Sequence, residues 1–332
     1  MKRIDFVTSS AAALTALVLG CSSNTPGGSG GVGGGTGSAT ARQEALTALP
    51  TVRQEHAVVA LNDEVYVIGG FTPAVTATVL AYNPANAIWR GVADFPSALH
   101  HANAAAVGGT LYVAGFYAGF SFTNADGRVF AYDAQQNSWT ARAAMPAGSA
   151  RAAACVAVLG SKIYLFGGAR GGTVADSSAY DTSADSWEAL PAMPEPREHC
   201  VAAALGDKLY IASGRSAGIG GFRPKTWVYD PALRTYQEKS SIPTPRGGTA
   251  GAVLGGRLVI LGGEGNGASP TGVFAQVEAY AHASDTWESL PDMLVPRHGF
   301  GAAVLGQRIY LPGGATQQAF GAVNDHSALW FE

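Results

Sequence analysis

The strongest constraint on the fold is an internal repeat of about 50 residues that runs from near residue 42 to the end of the chain. A short apolar segment, ending in glycine in all but one copy, marks each repeat. The six segments are VYVIGG (65–70), LYVAGF (111–116), IYLFGG (163–168), LYIASG (209–214), LVILGG (258–263) and IYLPGG (309–314). A fixed period of this length is typical of propellers and solenoids, in which one small structural unit is repeated.

Two other features recur at fixed distances from these segments. In the first five copies an aromatic residue ends a second strand, and another aromatic follows seven residues later. These pairs are Tyr82/Trp89, Tyr132/Trp139, Tyr180/Trp187, Tyr229/Tyr236 and Tyr280/Trp287. An arginine, called here the slot arginine, stands 13 residues before the second residue of the apolar segment in five copies. The slot arginines are Arg53, Arg151, Arg197, Arg246 and Arg297, and Leu99 takes this position in the second copy.

Glycine, tyrosine and tryptophan at these spacings resemble the kelch repeat, over residues 42–332. The resemblance implies an all-β, six-bladed kelch-type β-propeller with four antiparallel strands per blade. The sixth copy has three strands before Glu332, whereas QEALTALPTVR (43–53) matches WEALPAMPEPR (187–197) at six of eleven positions. We therefore predict that the N-terminal strand pairs into the last blade and closes the ring, which removes open sheet edges.

The N-terminal residues carry features of an exported, lipid-anchored protein. Lys2 and Arg3 precede an apolar stretch that is shorter than the roughly 20 residues a membrane span needs. VLGC (18–21) resembles a bacterial lipobox, although an ordinary cleaved signal with an incidental Cys is the alternative. We predict a signal peptide (1–20), lipidated Cys21 with a Gly/Ser-rich flexible linker (21–41), and the propeller (42–332). The expected location is extracytoplasmic, in the periplasm or at the cell surface, with the lipid anchor as the only membrane contact.

Composition excludes some classes of function. Charged residues make up 14% of the chain and the net charge is −3, which argues against a nucleic-acid partner. Besides Cys21 there are only Cys155 and Cys200, so no disulfide framework is expected. Both are interpreted as small buried residues on opposite faces of adjacent inner strands. No cofactor is predicted.

The loops mark one face of the propeller as the functional face. The distances from slot arginine to apolar segment and between paired aromatics are constant, so the turns on one face have fixed length. The other face is here called the loop face. There the separation between the second residue of the apolar segment (a tyrosine, or Val259 in the fifth copy) and the aromatic that ends the next strand varies from 16 to 21 residues. Variable loops on a rigid scaffold commonly carry function. The second loop, FYAGFSFTNADGR (116–128), is rich in aromatics, and Arg170, Arg215 and Glu264 begin the next three.

The slot arginines have two interpretations. Guanidinium groups bind carboxylate, phosphate or sulfate bidentately, so a ring of them would recognise an acidic ligand. Similarity to kelch domains that bind acidic peptides supports this interpretation. Alternatively, each arginine binds backbone carbonyls and holds the ring closed. The predicted ligand-binding residues are Arg53, His100, His101, Arg151, Arg170, Arg197, Arg215, Arg246, Arg297 and His298.

Histidine and glutamate residues follow the slot position where the inner strands begin. Glu55, Glu198 and His199 are candidate catalytic residues, because such side chains exchange protons near neutral pH. His100 and His101 are expected to point to opposite faces of a strand. No metal is predicted, because no ligand spacing supports one and the distances between blades do not follow from the sequence.

Two functions are consistent with these features. The first is a monomeric, surface-anchored binding module whose basic, aromatic-edged loop face recognises an acidic glycan, peptide or partner protein. The second follows from similarity to periplasmic six-bladed kelch proteins that interconvert sialic acid anomers, and is a sugar mutarotase or epimerase. Binding is favoured because the sequence does not fix an acid–base pair.

Overall fold

The computed structural model describes residues 40–332, which form six antiparallel β-sheets arranged as propeller blades. The prediction of an all-β, six-bladed propeller is confirmed. Within residues 40–332, no helix is long and apolar enough to cross a membrane. The predicted signal peptide, Cys21 and all but the last two residues of the linker lie outside the described residues.

The first strand, β1 (Ala41–Ala45), belongs to the last blade, and blades 1 to 3 follow it in chain order. Blade 1 contains β2 (Ala57–Leu61), β3 (Glu64–Ile68), β4 (Val79–Asn83) and β5 (Ile88–Val92). Blade 2 contains β6 (Leu99–His100), β7 (Ala104–Val107), β8 (Thr110–Ala118), β9 (Ala125–Asp133) and β10 (Ser138–Arg142). Blade 3 contains β11 (Cys155–Leu159), β12 (Lys162–Phe166), β13 (Ser177–Asp181) and β14 (Ser186–Leu190).

The remaining three blades repeat the same order of strands. Blade 4 contains β15 (Val201–Leu205), β16 (Lys208–Ala212), β17 (Thr226–Asp230) and β18 (Thr235–Lys239). Blade 5 contains β19 (Ala250–Leu254), β20 (Arg257–Leu261), β21 (Val277–Ala281) and β22 (Thr286–Leu290). Blade 6 contains β23 (Ala303–Leu305), β24 (Arg308–Pro312), β25 (His326–Phe331) and β1.

The N-terminal strand closes the ring as predicted. β1 pairs antiparallel with β25, from Ala41 opposite Phe331 to Ala45 opposite Ser327. β1 therefore supplies the outermost strand of blade 6, which chain order alone would leave with three strands. The pairing joins the two ends of the propeller, because β25 follows the last repeat and β1 precedes the first.

The repeated aromatics form cross-strand pairs and join neighbouring blades. The spacing of seven residues places each pair directly opposite on the two outer strands, as for Tyr132 and Trp139. The tyrosines are buried, whereas the tryptophans are half-buried and use the indole N–H between blades. Trp139 Nε1, for example, donates to the Ala93 carbonyl at 3.0 Å. The repeat thus encodes both the core of a blade and its attachment to the preceding one.

The glycine pair at the end of the apolar segment controls how far each strand extends. Gly69 and Gly70 have left-handed backbone angles (φ 63° and 93°), and the Gly70 N–H donates to the Leu99 carbonyl of the next blade at 2.8 Å. A Cβ at Gly69 would overlap Leu99. In blade 2 Phe116 replaces the second glycine, and β8 and β9 continue to nine residues each. This longer hairpin carries the aromatic-rich loop.

The interpretation of the two cysteines as free buried residues is wrong. Cys155 at the start of β11 and Cys200 just before β15 form a disulfide, with Cα atoms 5.1 Å apart. The inner strands of blades 3 and 4 are neighbours, so side chains on their facing surfaces meet across the gap. Cysteines on opposite faces of adjacent inner strands face each other across the gap between blades 3 and 4, which is the position that the disulfide requires.

Candidate functional site

A closed ring of backbone hydrogen bonds joins the six blades where their inner strands begin. Each residue of this ring lies two positions after the slot and donates its N–H to its counterpart in the preceding blade, over 2.6–3.2 Å. All six have left-handed backbones, with φ from 50° to 68°. We call these residues the axial ring: Glu55, His101, Ala153, His199, Gly248 and Gly299.

The axial ring brings three of the predicted site residues together. The Glu55 carboxylate lies 3.2 Å from His101 Nε2 and 3.9 Å from His199 Nε2. The two imidazole rings meet edge to face at 4.8 Å between centroids. The potential ligand atoms of these three residues all lie within 4.8 Å of one another, so the group is able to hold a metal ion.

The expectation that His100 and His101 point to opposite faces is wrong. Their Nδ1 atoms are 2.5 Å apart. Strand β6 ends at His100, and the left-handed conformation of His101 (φ 52°) interrupts the alternation of side chains. Both imidazoles therefore belong to the same site, where burial is the main cause that lowers the pKa of His101 well below its usual value. Burial likewise lowers the pKa of His100 to about 4.

On the loop face, the space next to the axial ring is open, and we call it the opening. Four phenylalanines surround it. Phe71 is buried, and its ring centroid lies 5.5 Å from that of Phe120, 5.9 Å from Phe122 and 5.8 Å from Phe320. The other three remain exposed, at 69%, 43% and 57% respectively. We call this group the phenylalanine cage. Its members come from the loops of blades 1, 2 and 6, and the His100 ring contacts both Phe71 and Phe122.

Arg215 lies in the floor of the opening between two carboxylates. Its Nε is 3.2 Å from Glu198 Oε1 and its Nη1 is 2.5 Å from Glu264 Oε1. Burial opposes ionisation of Glu198, but contacts with His199 and Arg215 outweigh it and lower the Glu198 pKa to about 2. Arg215 therefore neutralises carboxylates of the protein itself and offers little charge to a ligand.

Two adjoining cavities, here together called the mouth cavity, occupy the opening. One has a volume of ≈ 560 Å³ and includes Tyr117 and Glu198 in its lining. The other has ≈ 300 Å³ and is lined by Glu55 and by all four residues of the phenylalanine cage. The residues common to both are His101, Phe122, His199 and Arg215. Each volume is within the range of small-molecule sites, which extends from about 300 to 1,000 Å³.

The five slot arginines lie inside the blades, with 0–2% of their surface exposed. Their guanidinium groups donate to carbonyls of their own blade, as Arg53 does to Gly69 and Thr78 at 3.0 Å. None lines the mouth cavity described above. This burial favours the structural interpretation of Arg53, Arg151, Arg197, Arg246 and Arg297, because a buried guanidinium bonded to carbonyls does not face a ligand.

The other predicted ligand-binding residues have different surroundings. Arg170 pairs with Asp176 of its own loop at 2.6 Å and is one-third exposed. His298 is fully buried, with Nε2 2.8 Å from the Gln317 carbonyl and Nδ1 3.8 Å from Glu55 Oε1. The opening therefore combines one arginine with three glutamates, and the expectation of a basic loop face is not supported by its charge.

Phe71 and Phe320 are functional candidates that the sequence analysis missed. Phe71 directly follows the glycine pair of blade 1, and Phe320 lies in the loop between β24 and β25. Both occupy loops of the face that varies in length. The sequence signal for Phe71 is its place directly after a glycine pair, at the start of a loop. Because the loops differ in length, the sequence does not indicate that Phe71 and Phe320 lie close together.

The repeat pattern has a clear match among known protein families. The family model described as the KLHDC2/KLHL20/DRC7 kelch-repeats domain matches residues 38–193 and 101–314. The chain belongs to the kelch-repeat family. Kelch domains generally mediate protein–protein interaction, so the family membership is consistent with a binding function.

Several curated kelch proteins are similar in sequence, and those named here are eukaryotic. Kelch-like protein terF of Aspergillus terreus is 36% identical over 287 residues, which cover 79% of this chain and 61% of that protein. Kelch-like protein 35 of Mus musculus is 30% identical over 164 residues, 49% of this chain and 27% of that protein. This kelch chain thus spans less than two thirds of the length of either relative.

The propeller also resembles a solved structure. The protein titled "Structure of YjhT" superposes with a TM-score of 0.71 at 17% sequence identity, and the match covers 85% of this chain and 96% of that one. At this level of identity the likeness supports the kelch fold alone.

Proposed function

We propose that this kelch propeller binds a small organic ligand in the mouth cavity. An apolar ring of the ligand would pack against the phenylalanine cage, and a polar group would reach Glu55 and His101. The observation that carries the proposal is the cage itself, in which three of four clustered phenylalanines stay exposed around a concave opening. Exposed apolar clusters of this kind mark ligand or partner sites.

The charge of the floor favours a neutral or positively charged polar group. Glu55, Glu198 and Glu264 contribute three carboxylates, and Arg215 is the only arginine or lysine that lines the mouth cavity described. An acidic glycan, peptide or protein would have to approach these carboxylates without a free guanidinium to bind it. The acidic ligand expected from the sequence is therefore the less favoured outcome of the binding experiment.

Binding is tested by ligand-observed NMR with aromatic fragments that carry cationic, neutral or anionic groups. A Phe120→Ser/Phe122→Ser variant should weaken binding of the cationic and neutral fragments by about tenfold, as expected for lost aromatic contacts. The matched control is Leu233→Ser, because Leu233 is 71% exposed in the turn between β17 and β18, on the face opposite the loops. Equal loss in both variants contradicts the proposal, and stronger binding of anionic fragments restores the acidic ligand.

A second candidate is proton transfer on a sugar, as in the mutarotase alternative. The Glu55 carboxylate and His101 Nε2 lie 3.2 Å apart at the floor of the cavity, where an acid–base pair would meet a bound ring. NMR observation of anomer interconversion tests this activity. Turnover that is lost in Glu55→Gln supports it, whereas equal rates with and without the protein reject it.

We also propose that the propeller works outside the cytoplasm, as the N-terminal sequence indicates. The Cys155–Cys200 disulfide supports this location, because disulfides persist mainly in oxidising compartments. Fatty-acid labelling of the expressed full-length chain and of a Cys21→Ser variant tests the lipid anchor. Label on the natural chain alone supports the anchor, and equal absence of label in both contradicts it.

A further inference from the structure

The axial ring places three metal-ligating side chains from three blades around one point. His101 Nε2 and His199 Nε2 lie 3.2 and 3.9 Å from Glu55 Oε2. Two ligand atoms bound to one transition-metal ion at about 2.1 Å stand roughly 3 to 3.5 Å apart, so small rotations bring this set into coordination geometry. The three side chains are only 7–12% exposed, which shields them from competing water.

The left-handed backbone of the axial ring sets the direction of these side chains. Gly248 and Gly299 occupy the axial ring in blades 5 and 6, and glycine is the residue that adopts a left-handed conformation without cost. Glu55, His101 and His199 take the same conformation with side chains attached, which residues other than glycine seldom do. Gly299 also leaves room for the Glu55 carboxylate, because a Cβ there would overlap it.

The second nitrogen of each imidazole lies beside a polar group of a neighbouring side chain. His101 Nδ1 lies 2.5 Å from His100 Nδ1, and His199 Nδ1 lies 3.4 Å from Glu198 Oε1. Glu198 is held in turn by Arg215. A carboxylate behind a metal-binding histidine is the usual means of fixing the ring and raising its basicity. Both ring nitrogens of His199 are buried and have no hydrogen-bond partner among the described residues, so Nε2 is free to bind an ion.

We propose that Glu55, His101 and His199 bind one divalent first-row transition-metal ion, such as Zn²⁺. Two imidazoles and one carboxylate suit these ions and disfavour Mg²⁺ and Ca²⁺, which prefer oxygen ligands. Three protein ligands leave coordination positions that face the mouth cavity, as in open metal sites that take water or a substrate oxygen. The metal would occupy the lone pairs needed for direct acid–base work by Glu55 and His101.

Metal binding is measured on the full chain, stripped with EDTA and kept free of thiol reductants. Calorimetric titration with Zn²⁺ and visible spectra of added Co²⁺ report stoichiometry and coordination. We expect about one ion per chain, and at least a 100-fold weaker affinity in His199→Ala. Glu198→Gln, which changes only the supporting carboxylate, should weaken binding by about 10-fold.

Two controls keep the result interpretable. Ala153 holds the equivalent ring position in blade 3 with φ 52°, so the alanine variant at 199 should keep the fold, which circular dichroism checks. His282→Ala removes an exposed imidazole outside the ring and should bind metal like the natural chain. Equal affinity in folded His199→Ala and the natural chain, or no binding by either, overturns the proposal. The metal titrations contain no organic ligand, and the fragment-binding experiment is repeated in EDTA. Metal binding and fragment binding are therefore tested independently of each other.

Discussion

Each slot arginine lies inside its own blade, and its guanidinium group donates hydrogen bonds to backbone carbonyls of that blade. Arg297, for example, donates to the Leu311, Gly313 and Asp325 carbonyls at 2.6–3.2 Å. Its own carbonyl accepts the N–H of Gly263 from the preceding blade at 2.9 Å. One residue therefore joins two strands of its blade and two neighbouring blades. This dual role explains why arginine recurs at a constant distance from the apolar segment.

Arg246 offers the clearest test of this structural role. Its guanidinium forms a buried ion pair with Glu278, which is 2% exposed. Arg246→Ala leaves that carboxylate buried without its partner and should lower the free energy of unfolding by about 3–5 kcal/mol. Chemical denaturation measures the loss. Arg170→Ala, which breaks an exposed pair, should cost under about 1 kcal/mol, and equal losses in the two variants would contradict the assignment.

His326 makes ring closure sensitive to pH. It packs edge to face on Tyr82 of blade 1, and burial lowers its pKa to about 4 against the opposing effect of its bond to the Thr47 carbonyl. The unfolded chain binds this proton below about pH 6.5, so the contribution is complete above that pH and is lost as pH falls towards 4. Denaturation curves should show a slope of about 1.4 kcal/mol per pH unit from this group. An unchanged slope in His326→Gln would refute the assignment.

At the scale of elements, blade 2 shows how one departure from the repeat creates a functional feature. Phe116 stands where the other blades have a second glycine, so β8 does not break and the hairpin extends into the loop that carries Phe120 and Phe122. The fold can be predicted from the repeat because the apolar segment recurs in six copies along the chain. The site can be predicted from the sequence only in part. Glu55, His101 and His199 meet because their backbones are left-handed and because the ring is closed, and the alternation of side chains along a strand predicts neither feature.

The Cys155–Cys200 disulfide links inner strand β11 to the residue just before inner strand β15. It closes a loop with a sequence separation of 45 residues, and loop-closure entropy assigns it about 4 kcal/mol. Reduction should lower the free energy of unfolding by that order, and a Cys155→Ser/Cys200→Ser variant should not respond to reductant. Detection of two free thiols in the native, unreduced chain by mass spectrometry would contradict the bond.

At the scale of the whole molecule, closure and function depend on each other. β1 pairs into blade 6, and between blades 1 and 6 the Glu55 N–H donates to the Gly299 carbonyl at 2.6 Å, which completes the axial ring. The same closure brings Phe320 of blade 6 against Phe71 of blade 1. Both the floor and the cage of the mouth cavity therefore exist only in the closed propeller.

A crystal structure with the best-binding fragment would show directly whether this kelch propeller binds its ligand in the mouth cavity. We predict that the ring of the fragment lies within about 4 Å of Phe71 or Phe122, with its polar group directed to Glu55 and His101. The main competing cavity, of ≈ 250 Å³ beside Trp187 and Asp176, should remain empty. A fragment bound there, or on the face opposite the loops, with the mouth cavity empty, would contradict this prediction.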